Sequence, residues 1–186
     1  MSYVHHTILV VDNDPDQAHF TMLALQRVGV ISPVQIVSDG EEAISYLIGK
    51  GKYQDRENFP LPVLMLLDLK LPRISGLGLL SWLRQHPALR CLPVIVLAAP
   101  EGINEMSRAY DHGCNSYLIK PTAFNTLLVM MQALVQYWLT LNLAPEAGAG
   151  TGTLRVATVG LAGASERAGL FPAPDMAAGV NPDGKL

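Results

Sequence analysis

A small set of residues carries most of the chemistry this sequence offers. Asp12 closes the apolar run Ile8–Val11, with Asn13 and Asp14 directly behind it. Asp68 closes a second run, Val63–Leu67, and Lys120 follows a third, Tyr117–Ile119, just before Pro121. Two carboxylates and an amide oxygen make a hard-oxygen set suited to magnesium, an ion that keeps several waters of its own. A lysine beside them neutralises a phosphoryl oxygen. The plainer reading makes Asp12 and Asp14 caps of a following helix. It explains neither Asp68 nor Lys120 at the ends of their own runs.

These residues need a scaffold that brings three run ends together. Ile8–Val11 reads as a strand. Pro15–Val28 carries Phe20, Leu23, Ala24 and Val28 at helical spacing, and Gly29 stops it. Val34–Val37 is a second strand candidate. Asp39, with Glu42 three residues on, opens a helix bearing Ala43, Ile44, Leu47 and Ile48. Gly49 to Pro62 reads as a polar loop, longer than a usual connection. The unbroken run Val63–Leu67 suits a strand buried on both faces. Leu77–Gln85 and Ile103–Asp111 read as helices, Val94–Leu97 and Tyr117–Ile119 as strands, and Thr122–Asn142 as the last helix. Five alternating units predict an α/β fold: a doubly wound, five-stranded parallel sheet covered on both faces. Ligands of such sheets bind outside the carboxyl ends of the strands. Asp12, Asp68 and Lys120 all fall there.

Composition bounds the rest. The chain has 186 residues, 49% hydrophobic and 16% charged, enough to bury a core. Net charge is -3 with no basic block, so binding to nucleic acid by phosphate neutralisation is not expected. Cys91 and Cys114 lie far apart with no CxxC pair, which excludes a disulfide framework and suits a reducing, cytoplasmic setting. No basic segment precedes a long apolar run near Met1, so no signal peptide is expected. Residues 1–143 form the expected domain. Residues 144–186 hold 10 Ala, 8 Gly, 4 Pro and one aromatic, Phe171, and are expected to be mostly disordered. Thr153–Val159 could make a short strand there, with nothing expected to pair with it.

The segments Ile8-Leu-Val-Val-Asp-Asn-Asp-Pro15, Asp39-Gly-Glu-Glu-Ala43, Leu66-Leu-Asp-Leu-Lys-Leu-Pro72 with Gly76, and Tyr117-Leu-Ile-Lys-Pro121 occur in a telling order. Through them the sequence resembles the receiver domain of bacterial two-component response regulators, over about residues 5–142. The loop before Pro60-Leu-Pro62, Ala109-Tyr110, Tyr137-Trp-Leu139 and Asn142 further resemble single-domain regulators that partner bacterial and cyanobacterial phytochrome kinases. The resemblance implies a flavodoxin-like sheet of order 2-1-3-4-5. It implies that Asp68 is the phosphoacceptor, attacking a phosphohistidine of a sensor histidine kinase to form an acyl phosphate. Lys120 would contact the phosphoryl group. Asp12, Asn13, Asp68 and the main-chain carbonyl of Lys70 would hold Mg2+. Ala98 and Tyr117 occupy the switch positions. Two residues depart from the family pattern. Asn13 replaces an acidic ligand, which removes one negative charge and weakens the expected magnesium affinity. Asp14 is one residue out of register to replace it. Ala98 replaces Ser or Thr and has no hydroxyl to follow a phosphoryl group.

Thr122–Leu143 contains no charged residue, and Phe124, Leu127, Leu128, Met131, Leu134, Val135, Trp138 and Leu141 form a wide apolar stripe. One side must pack on the sheet, and the remainder predicts a homodimer with Leu128, Met131, Val135 and Trp138 at its interface. A fully packed core helix is the alternative. A membrane anchor is opposed by Asn125, Thr126, Gln132, Gln136 and Thr140. The resemblance likewise implies dimerisation through the fourth and fifth helices. The expected function is a receiver, not an enzyme, with output through protein contacts rather than DNA. A degenerate receiver acting only as an interaction module is the alternative. A phosphatase with Asp68 as nucleophile ranks last, because Lys70 stands where a second carboxylate would be needed.

Overall fold

The computed structural model describes residues 7–99, 103–145 and 154–156. Strands β1 (Thr7–Val11), β2 (Val34–Val37), β3 (Pro62–Leu67), β4 (Val94–Ala98) and β5 (Ser116–Ile119) form one parallel sheet in the order β2-β1-β3-β4-β5. Helices α1 (Pro15–Arg27), α2 (Gly40–Ile48), α3 (Gly76–Gln85), α4 (Ile103–Asp111) and α5 (Phe124–Val135) alternate with them. This is the doubly wound α/β sheet that the alternating pattern predicts, in the flavodoxin-like order that the resemblance implies.

Successive strand residues point to opposite faces, so one sheet builds two cores. Leu9, Val11, Met65, Leu67, Val94 and Val96 pack with Ala43 and Leu47 of α2, Leu79, Leu80 and Leu83 of α3, and Ala109 of α4. Ile8, Val10, Leu64, Leu66, Ile95 and Leu97 face the other way, onto Ala24 and Leu25 of α1 and Leu127, Met131 and Leu134 of α5. Both faces of β3 are thus covered, which explains its unbroken apolar run. Each of the buried Val, Leu, Ile and Met side chains contributes about 1.5–3 kcal/mol on burial. Strands anchored this firmly hold charged residues at their carboxyl ends in fixed places.

Helix starts follow their caps. Asp14 accepts the amides of Asp16 (2.9 Å) and Gln17 (3.2 Å) to open α1, with Pro15 in the first turn. Asp39 accepts the Glu42 amide at 2.8 Å to open α2, and Ser75 opens α3 through the Gly78 amide at 3.2 Å.

Three expectations are corrected. The segment between α2 and β3 is not merely polar. Tyr53 and Phe59 meet Tyr46 of α2 with ring centroids 5.0–6.2 Å apart. The Arg56 guanidinium donates to the carbonyls of Tyr46 (2.8 Å), Leu47 (2.7 Å) and Phe59 (3.0 Å), closing the end of α2. Second, the helix expected over Thr122–Asn142 is α5 followed by a π-helical turn, Gln136–Leu141. Third, Leu154–Val156 (β7) does find a partner: it pairs antiparallel with Leu143–Pro145 (β6). The rest of the segment expected to be disordered, 146–153 and 157–186, lies outside the described residues.

The residues chosen for a dimer face also need correction. Met131 and Val135 are 0% and 2% exposed, locked into the core between the sheet and α1. Leu128 and Trp138 are half-buried against the same cluster. The large apolar residues of this segment that do face outward are Val129, Tyr137 and Leu141. Phe124–Leu141 is long and apolar enough to cross a membrane by length and composition. Its inner side, through Leu127, Met131, Leu134, Val135 and Leu139, is built into the core.

Candidate functional site

Asp12 follows β1, Asp68 follows β3 and Lys120 follows β5. Because the three strands run parallel, their carboxyl ends share one edge of the sheet. The backbone fixes each residue. The Asp12 amide donates to the Val37 carbonyl (3.1 Å), the Asp68 amide to the Val11 carbonyl (2.9 Å), and the Lys120 amide to the Ala98 carbonyl (2.7 Å). From the far side of β4, the Lys120 ammonium reaches Asp12 Oδ2 at 2.7 Å and also bonds Asp68 Oδ2. The second oxygen of each carboxylate accepts a backbone amide: Asp12 Oδ1 from Asp14 at 3.0 Å, Asp68 Oδ1 from Lys70 at 2.7 Å.

All three side chains are largely shielded: Asp12 is 4% exposed, Asp68 12% and Lys120 15%. Burial pulls the Lys120 ammonium down, but its bonds to Asp12 and Asp68 outweigh that and hold it above the usual lysine value. Burial pushes the Asp12 carboxyl up, and Lys120 and the Asp14 amide only partly oppose it, since one ammonium serves two carboxylates. Two negative charges against one positive leave the cluster attractive to a further cation.

The donors fit a hard divalent cation by type, being oxygen throughout. Each carboxylate oxygen keeps a free lone pair besides the bond described. The acidic count is low, however. Among the described residues no group of three His, Cys, Asp or Glu side chains is placed to hold a metal. Asn13 sits exposed beside Asp12, and Asp14 is engaged as the cap of α1. Asp14 therefore does not stand in for the missing acid.

The two residues expected at switch positions, Ala98 and Tyr117, sit on β4 and β5. Ala98, buried at the end of β4, offers the cluster only a methyl group and its carbonyl. Tyr117, half-buried on β5, donates its hydroxyl to Glu105 of α4 at 3.2 Å. The sequence reading brought Asp12, Asp68 and Lys120 together, as the structure does. It missed Glu105 and Arg73. Arg73 lies five residues after Asp68 and pairs with Asp39 and Glu41 at the start of α2. No local pattern signals either pairing, because each partner comes from a different element.

A chemically coherent picture emerges: a carboxylate flanked by a second carboxylate and an ammonium, at the mouth of a parallel sheet. It suits nucleophilic attack on an electrophile whose developing negative charge Lys120 would meet. Known proteins agree in sequence and shape. The sequence profile described as "Response regulator receiver domain" matches residues 8–132. The probable methanogenesis regulatory protein FilR2 of Methanothrix harundinacea is 34% identical over 138 residues, covering 74% of this chain and 86% of that protein. The response regulator Rcp1 of Synechocystis sp. is 31% identical over 140 residues, covering 75% of this chain and 93% of Rcp1. Its Mn(2+)-bound crystal structure matches with a TM-score of 0.67 at 30% identity, over 75% of this chain and 99% of that one. The crystal structure of the phosphorylated cyanobacterial phytochrome response regulator RcpA matches with a TM-score of 0.70 at 29% identity, over 77% of this chain and all of that one.

Proposed function

From the premise that this chain belongs to the response regulator receiver domain family, we propose that it takes a phosphoryl group from a sensor histidine kinase onto Asp68. The observation that carries the reading is Lys120 bonded at once to Asp12 and Asp68. An Asp68 oxygen attacks the phosphorus of a phosphohistidine. A P–O bond forms, the P–N bond breaks, and the imidazole leaves with a proton. Lys120 then pairs with a phosphoryl oxygen in place of part of its carboxylate contact. Asp12, Asn13, Asp68 and the main-chain carbonyl of Lys70 would hold magnesium, which supplies further neutralisation of the phosphoryl oxygens. The Mn(2+)-bound form of Rcp1 supports a divalent ion at this kind of site.

The chain acts as an acceptor and signalling module, not as an enzyme in turnover. The likeness to RcpA favours a phytochrome-type kinase as its partner. Output passes through protein contacts and a homodimer of the α4 and α5 faces, in the cytoplasm, with neither nucleic acid nor membrane as a partner. Net charge -3 and the absence of a basic block support the exclusion of nucleic acid. The built-in inner side of α5 supports the exclusion of a membrane.

A second reading has its own observations. Asn13 for an acid, Asp14 engaged as a cap, and Ala98 without a hydroxyl favour a degenerate receiver that binds partners regardless of phosphorylation. Intact-protein mass after incubation with acetyl phosphate and magnesium separates the two. One added phosphoryl group, absent in Asp68→Asn and lost on removing magnesium, is the expected result. No addition across a magnesium series, with acetyl phosphate or a sensor kinase as donor, would favour the degenerate reading.

A further inference from the structure

The loop from Asp68 to Gly76 carries the acceptor carboxylate and the Lys70 amide that bonds it, so the loop's placement sets the site. Its inner end is pinned by close packing. The Gly76 amide donates to the Leu69 carbonyl at 3.0 Å, and a Cβ on Gly76 would fall 2.6 Å from the Asp68 carbonyl oxygen. Its outer end is held by α2. A Cβ on Gly40 would fall 2.5 Å from the Ile74 carbonyl oxygen, so only glycine allows that approach. Beside this contact, the Arg73 guanidinium pairs with Asp39, the carboxylate that caps α2, and its Nε lies 3.4 Å from Glu41.

Arg73 is unusual in its backbone as well. Its φ is 63°, the left-handed region, and among the described residues no other non-glycine residue has a positive φ. Glycine would take that conformation freely. The chain instead places a long cationic side chain there, facing a carboxylate whose side chain is 3% exposed. A carboxylate so buried needs a counter-charge. Strained backbone at a site is a pointer to function when the side chain has an evident task. Here the task is to tie the acceptor loop to the start of α2.

We propose that Arg73 is a positioning residue: its ion pair with Asp39 and Glu41 clamps the loop after Asp68 onto α2, and so holds the Asp68 carboxylate and the Lys70 backbone in register. The functional meaning rests on the phosphoacceptor reading, but the clamp does not. It makes the start of α2 mechanically continuous with the acceptor.

The test is backbone hydrogen exchange of the full chain, comparing the parent with R73G, R73Q and R73K. R73G removes the guanidinium and relieves the backbone but adds glycine's freedom, whereas R73Q removes only the charge, so agreement between the two separates the clamp from the conformation. With the clamp lost, the amides of Lys70 and Gly76 in R73G and R73Q exchange roughly tenfold faster than in the parent, while those of β1 and β4 do not change. R73K, keeping the charge, stays near the parent. Labelling of Asp68 by acetyl phosphate slows in the same order and needs more magnesium. Exchange in R73G equal to or slower than the parent overturns the clamp, and so does a speed-up spread evenly over the sheet. If R73G fails to fold, R73Q decides by the same readout. A parent that takes no phosphoryl group, alongside faster local exchange in R73G, defeats the phosphoacceptor reading and leaves the clamp standing. A labelled parent with unchanged exchange in R73G does the reverse.

Discussion

Asp12, Asp68 and Lys120 were legible in the sequence because each ends an apolar run, and a doubly wound sheet gathers such ends at one edge. Asn13 and Asp14 were harder to separate, since adjacent polar residues after a strand can serve a metal or a helix. The hydrogen bonds divide them. Asp14 holds the Asp16 and Gln17 amides, which leaves Asn13 beside Asp12 at the mouth. Two substitutions follow from this division. Asn13→Asp would add one negative charge to the residues that would hold magnesium. Magnesium half-saturation in acetyl phosphate labelling should therefore fall by about tenfold. Asp14→Ala should leave that half-saturation unchanged and lower the unfolding free energy by about 1 kcal/mol through the lost cap. A shift in magnesium dependence with Asp14→Ala would mean that Asp14 also serves the metal end. Arg73 and Glu105 could not be read at this scale. Their partners sit on other elements, and only the closed fold brings them together.

At the level of elements, the strands and helices were readable from periodicity, because each buries one side or both against a uniform sheet. The segment 49–62 was not. Its order comes from Tyr46, Tyr53 and Phe59, residues that show no period and meet only when the chain folds back over α2. The same corner contains a charge network with a pH signature. Lys52 meets Glu42 Oε1 at 2.8 Å, the Tyr53 hydroxyl donates to the same oxygen at 2.8 Å, and the Ser38 amide donates to Oε2 at 3.0 Å. Burial pushes the Glu42 carboxyl up, but these donors together outweigh it and hold the group at about 2, below its ordinary 4.5. A carboxylate depressed in the folded state binds fewer protons there than in the unfolded chain. Its stabilising contribution is therefore complete above the unfolded value and is lost as pH falls from 4.5 toward 2. Chemical denaturation across that window should show a smaller loss of stability in Glu42→Gln than in the parent. The two proteins should then converge at the acid end. Equal slopes through the window would show that the network does not reach the folding equilibrium.

Seen whole, the molecule uses its two cores unequally. The side covered by α2, α3 and α4 is closed further by the aromatic corner over α2. The side covered by α1 and α5 buries the inner positions of α5 and leaves Val129 (70% exposed), Tyr137 (53%) and Leu141 (65%) outside. Ile119 on the edge strand β5 and Tyr110 on α4 are also exposed, at 54% and 49%. An all-round apolar helix read from sequence cannot say which positions face in, because the stripe is too wide to have a single phase. That is why Met131 and Val135 were expected outside and lie within. The corrected assignment predicts a sharp contrast between one core substitution and two surface substitutions along this helical segment. Met131→Glu places an unpaired charge in the core and should destabilise the fold by several kcal/mol, seen in thermal melts. Val129→Glu and Tyr137→Glu sit on the outside and should leave the melts within about 0.5 kcal/mol of the parent. If the outer apolar positions form the proposed dimer face, these two substitutions should shift sedimentation equilibrium from dimer to monomer at unchanged fold stability. A parent chain that sediments as a monomer at high concentration would remove the dimer from the functional reading. The exposed apolar residues of α5 would then be available to a different protein partner, and the receiver would signal without self-association.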